Sequence, residues 1–233
     1  MSHLMPTGNR TCRMTGLLLC ALITSAPSAP LHAQEGPADF PEAYYRQAVV
    51  QGGKVLRVNS AQSLVVIEVH RAGVLARLGH NHVVASHHVS GYASIAEGLA
   101  DLYIPLEKLV VDEPGLRTEA GFNSQPSQED IEATRQNMLN KTLNFKHFPY
   151  ALIHIIRADT SHQTLNVSIT LHGMTRAYEV PVQIEALSNG IAIDGKMSFN
   201  QTDFDITPLS VFGGAIKVQN KLDLRFHIIA QND

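Results

Sequence analysis

The chain has 233 residues, 18 basic against 21 acidic, 12 histidines, two cysteines and a formal net charge of −3. That length supports one domain with a core large enough to fold without covalent staples, and two cysteines exclude a disulfide scaffold. The weakly acidic balance excludes a partner recruited by charge, such as nucleic acid or an anionic membrane surface.

Arg10 and Arg13 precede an apolar run from Met14 to Thr24, then Ser25-Ala26-Pro27-Ser28-Ala29-Pro30, with no acidic residue before Glu35. A positive segment, an apolar segment and a small-residue segment in that order predict a cleavable secretory signal over residues 1–33, cut after Ala33. The apolar run, residues 14–24, is too short for a membrane span, which needs about 20 residues. Arg10 and Arg13 are not adjacent, so a twin-arginine signal is not supported. Leu19, just before Cys20, is bulkier than lipoprotein processing accepts. Removing the signal takes Cys12 and Cys20, two of the 18 basic residues and none of the 21 acidic, which leaves an exported chain of net charge −5 without a disulfide.

Residues 34–54, with Pro37, Pro41 and Gly52-Gly53, predict a lead-in, a short helix or extended chain. Beyond it, period two dominates, the mark of strands with one buried face. Such runs occur at Ser63–His70, His82–Ile95, Leu99–Leu106, Ala151–Ala158, Leu165–Leu171, Tyr178–Ile184, Ile191–Asn200, Ala215–Gln219 and Leu222–Ile228. Ser188-Asn189-Gly190 supplies the left-handed conformations of a tight hairpin. One segment departs from this rhythm. Ser127 with Asp130 three residues later reads as a helix start, and Ile131, Met138 and Leu139 recur at helical spacing, so a helix is predicted over about 127–143. Pro149 then leads into the next strand. The class is all-β, a meander of antiparallel strands forming a sandwich or a closed barrel. Closure removes strand edges and so favours the barrel, with the helix packed on it or capping its mouth.

Three stretches resemble the YceI family: Leu143-Asn-Phe-Lys-His-Phe-Pro149-Tyr-Ala-Leu-Ile; Val167-Ser-Ile-Thr-Leu-His172-Gly-Met-Thr-Arg176 with Val180-Pro181-Val182; and Phe199-Asn-Gln-Thr-Asp203-Phe204. They stand in that family's order, and the likeness runs from about Val55 to Ala230, so residues 55–233 are identified as a YceI-like domain. The resemblance implies a lipocalin-like antiparallel barrel in the bacterial periplasm that binds an isoprenoid lipid, a quinone or a similar amphiphile, and a binding protein rather than an enzyme. Two positions depart from the family pattern. Asp205 stands where the family commonly has glycine after Asp-Phe, and Leu78-Gly79-His80-Asn81-His82 is unusually rich in histidine.

Leu165, Val167, Ile169, Leu171, Val180, Val182, Phe145, Phe148, Phe199 and Phe226 are the candidate wall of a ligand cavity, with ordinary core packing as the alternative for each. His80 and His82, two apart, share one face of a strand, a spacing that suits either two metal ligands or hydrogen bonds to a head group. His87, His88 and His172 are further imidazoles that could join them. His172-Gly173 reads chiefly as a hairpin turn, and Arg176 beside it could meet an anionic head group. Asp203 is read as capping the turn after its strand. No nucleophile elbow, phosphate loop or His-Glu-x-x-His is present, and no cysteine survives signal removal. Three functions follow: a carrier of a hydrophobic amphiphile with no other cofactor; a metal-binding module or metal-assisted enzyme centred on His80 and His82; or a solid barrel that serves a membrane redox protein. Transient membrane contact and a homodimer are compatible with these.

Overall fold

In the computed structural model the described residues are Met1, 36–157 and 163–232, so the signal segment lies, Met1 apart, outside them. The lead-in forms helix α1 (Glu42–Val50). The strands that follow are β1 (Val55–Val58), β2 (Leu64–Val69), β3 (Arg71–Ala72), β4 (His82–Ser86), β5 (Ser90–Ser94), β6 (Leu99–Pro105) and β7 (Val110–Val111). Helices α2 (Pro114–Glu119) and α3 (Gln128–Asn137) come next, and α3 continues as a π-turn over Met138–Thr142. The chain ends in β8 (Tyr150–Arg157), β9 (Thr164–Leu171), β10 (Met174–Leu187), β11 (Gly190–Asn200), β12 (Ser210–Val211), β13 (Ile216–Val218) and β14 (Lys221–Gln231).

Eight strands close an antiparallel barrel in the order β1-β5-β6-β8-β9-β10-β11-β14, with β14 returning to β1. This is the closed barrel expected from the period-two pattern. The closure is local, because β14 has two partners on one edge. Its end pairs with β1 through Ala230 opposite Val58, and its first half pairs with β2 through Asp223–His227 opposite Leu64–Glu68. Ser63 holds the corner between β1 and β2. It is 2% exposed; its hydroxyl donates to the Asn59 carbonyl at 2.8 Å and accepts from the Ile229 N–H at 3.0 Å. The predicted run His82–Ile95 breaks the same way into β4 and β5, and β6 and β7 are parted by a turn at Leu106–Lys108. The barrel wall therefore forks: β1, β5 and β6 stay in it, while β2, β4 and β7 form a flap.

The two faces of the flap explain why all of β4 beyond His82 is buried. Val84 faces the barrel core, whereas Val83 and Ala85 pack with Val66 against Leu116 of α2. The sequence pattern did not predict α2. At six residues it is too short to show a period, although Pro114 sits in the first turn, where its missing N–H costs nothing. Helix α3 begins as expected, with the Ser127 hydroxyl accepting from the Asp130 N–H at 3.1 Å. It packs on the flap, where the Arg135 guanidinium donates to the Leu109 carbonyl at 3.1 Å and to the Glu107 carbonyl at 2.5 Å. The run at Ala215–Gln219 is strand, but it joins a small sheet β12-β13-β3 rather than the barrel.

Helix α1 lies outside the barrel. Tyr45, 1% exposed, stacks on Tyr92 at 5.4 Å between ring centroids and donates to Asp101 at 2.7 Å. Burial, then that hydrogen bond, push the Tyr45 phenol pKa well up.

Candidate functional site

Every barrel strand contributes side chains to an interior cavity of about 330 Å³, at the low end of the ~300–1,000 Å³ typical of small-molecule sites. An eight-stranded barrel is about the smallest that can hold one ligand instead of filling with its own side chains. The lining is apolar except for His82, Ser86, Thr134, Asn137, Thr142 and Gln201. Five of these six belong to β4 and to the α3 segment, so polarity gathers where the helix meets the flap. Gln201 is already engaged, donating to the Gln219 carbonyl at 2.8 Å.

Of the sequence candidates, Leu165, Val167, Ile169, Phe199, Phe226 and His82 line this cavity, as do Leu171 and Val180. Phe226 faces Gly195 across the β11–β14 pair, and its ring fills the inward space the glycine leaves: a Cβ there would lie 2.3 Å from the ring. Phe145, Phe148, Val182, His80, His172 and Arg176 do not line it. His172 and Gly173 are the two residues between Leu171 and Met174, both with positive φ, 51° and 76°. They form a hairpin turn of the mirror-image kind that matches strand twist. Phe148 packs on this turn, 4.8 Å from the His172 ring, and a Cβ on Gly173 would come within 2.8 Å of it. Phe148 therefore braces a turn, and Phe145 packs against the core beside α3. The Arg176 guanidinium donates to its neighbour's carbonyl at Thr175. Asp203 accepts from the Asn200 N–H at 3.0 Å and so closes the turn after β11. Asp205 adopts the left-handed conformation, φ 55°, that the glycine of the family pattern would take; aspartate is among the few residues that tolerate it.

The histidines do not converge. His87 meets Glu113 at 2.8 Å and His172 meets the Phe204 carbonyl at 3.3 Å. His80 and His82 are neighbours, with ring centroids 6.3 Å apart. No group of three or more His, Cys, Asp or Glu able to hold a metal ion occurs among the described residues.

What the structure adds is a buried network behind His82. Asp112 follows β7 in the left-handed conformation, φ 59°, and its amide donates to the Val83 carbonyl at 2.8 Å. Its Oδ1 accepts from the Val83 N–H at 3.0 Å and from Arg117, and its Oδ2 lies 2.6 Å from His82 Nδ1. Arg117, 1% exposed, also donates to the Asn81 carbonyl at 2.7 Å and to the Ser124 carbonyl. Burial alone would raise the Asp112 pKa, but hydrogen bonds from His82, Val83 and Arg117 outweigh it and hold the carboxyl below the usual range. Sequence reasoning missed Asp112 and Arg117. Nothing in their spacing points to His82; only the pairing of β7 with β4 brings them there.

The fold and site thus define a small antiparallel barrel with an apolar interior and a polar patch where a helix meets a flap. The model of the YceI-like domain matches residues 58–230, and the chain belongs to the YceI family. Among solved structures it is similar to a polyisoprenoid binding domain from Saccharophagus degradans implicated in plant cell wall breakdown, with 11% identity, a TM-score of 0.54, and 76% of this chain and 98% of that one covered. It is also similar to Burkholderia cenocepacia BcnA, with 14% identity, a TM-score of 0.51, and 75% and 99% covered. No curated protein matches it.

Proposed function

We propose that this protein is a periplasmic carrier or sequestering protein for a long-chain amphiphile, an isoprenoid lipid being the leading class, and that it acts by binding rather than catalysis. The observation that carries this reading is the cavity of about 330 Å³, apolar around nearly its whole circumference and lined by every barrel strand. An interior packed solid for a purely structural role would leave no such space. The similar Saccharophagus degradans domain is described as polyisoprenoid binding, and the charged and small-residue pattern of residues 1–33 supports export. Delivery of such a cargo calls for transient contact with a membrane or a membrane-bound acceptor. The loops beside the small sheet offer apolar side chains for it: Val74, Leu78 and Phe212 are 89%, 63% and 80% exposed.

The test is mass spectrometry of organic extracts from protein purified out of the periplasm. A stoichiometric prenyl-chain species is the expected result. Preparations repeatedly free of lipid, together with failure to take up any prenyl compound in vitro, would refute the carrier.

A further inference from the structure

We propose that the polar end of the cavity recognises a hydroxyl group: His82 Nε2, held as a bare acceptor by Asp112, takes the hydrogen bond of an alcohol or phenol head group whose apolar tail lies in the barrel. This rests on the carrier reading and specifies its ligand.

The tautomer of His82 follows from its surroundings. The Asp112 carboxylate is buried, receives the Val83 N–H and Arg117, and is an acceptor only. The proton in the 2.6 Å contact with His82 therefore sits on Nδ1. A neutral imidazole with its proton on Nδ1 presents a lone pair at Nε2. The ring lines the cavity, and Nε2 has no hydrogen-bond partner among the described residues. Beside it, His80 Nδ1 is buried without a partner, and the two rings meet edge to face. An unengaged acceptor in a largely apolar cavity calls for a ligand group that donates a hydrogen bond.

A hydroxyl supplies that donor to His82 Nε2 without bringing a charge into the cavity. A quinone carbonyl or an ether only accepts and leaves Nε2 unpaired. A phosphate head group, ionised at pH 8, likewise only accepts and leaves Nε2 unpaired.

Calorimetry at pH 8 on the protein freed of lipid, with farnesol and farnesyl methyl ether as probes, compares equal tails that differ in one donor. Farnesol is expected to bind about tenfold more tightly, since the ether leaves a buried acceptor unpaired. In His82→Phe the ratio of the two affinities falls to about one, whatever their absolute values. Should that variant not fold, the imidazole ¹⁵N resonances of His82 in the wild type decide: farnesol shifts Nε2 and the ether does not. Equal affinities in the wild type, an unchanged ratio in His82→Phe, or tighter binding of farnesyl phosphate than of farnesol overturns hydroxyl recognition and leaves the carrier standing. Failure of both neutral probes to bind overturns both readings.

Discussion

Asp112 Oδ2 lies 2.6 Å from His82 Nδ1 across 30 residues of chain, and the same carboxylate is paired with the buried guanidinium of Arg117. One side chain thus orients a cavity imidazole and neutralises a cation under the flap. A buried pair of this kind contributes little net stability over an apolar substitute, but losing one partner is costly because the other charge stays buried.

Asp112→Asn is therefore expected to destabilise the fold by about 3–5 kcal/mol at pH 7, measured by urea unfolding. The folded-state pKa of Asp112 is depressed, so its contribution is fully present above the ordinary carboxyl value of ~3.9 and is lost as pH falls below that through the folded value. Wild-type unfolding midpoints should drop between pH 4 and pH 2, with a smaller drop in the variant. A variant as stable as the wild type at pH 7 would contradict the buried pairing.

Ile169 lines the cavity on β9 opposite Arg176 of β10. Ile169→Trp pushes a large ring into space the wild type leaves open. Lipid recovered with the purified variant should fall at least ~tenfold, with a stability change inside the ~1–3 kcal/mol usual for overpacking. Undiminished lipid content would mean that the cargo sits elsewhere.

Tyr45 ties α1 to the barrel by a stacked ring and a hydrogen bond to Asp101. Tyr45→Phe removes only the hydroxyl and should cost about 1 kcal/mol. Tyr45→Ala also empties a fully buried aromatic site and should cost about 3–5 kcal/mol. Neither should change lipid content, because Tyr92 beneath it faces away from the interior that Ala93 lines. Equal costs for the two variants would show that ring packing contributes nothing.

Much of the wall was legible in the sequence because strand burial alternates residue by residue. Leu165, Val167 and Ile169 could be placed on one face of their strand, and all three line the cavity. The helix start at Ser127 was equally visible, since its cap is a contact between residues three apart. Aromatic character misled at Phe145 and Phe148, which flank the barrel strands, and the ring of Phe148 serves a turn. The fork in the wall was hidden because strand runs carry no record of which neighbour each half will choose. His82–Ile95 reads as one run and folds as two.

The sequence by itself determined an antiparallel all-β chain with one capped helix and an apolar inward face, because period, caps and turn residues are local and leave their signature within a few positions. Only the tertiary structure decided where the polar end of the cavity lies. His82, Asp112 and Arg117 meet because β7 pairs with β4 and α2 packs behind the flap, and pairings between distant segments are set by closure of the whole barrel.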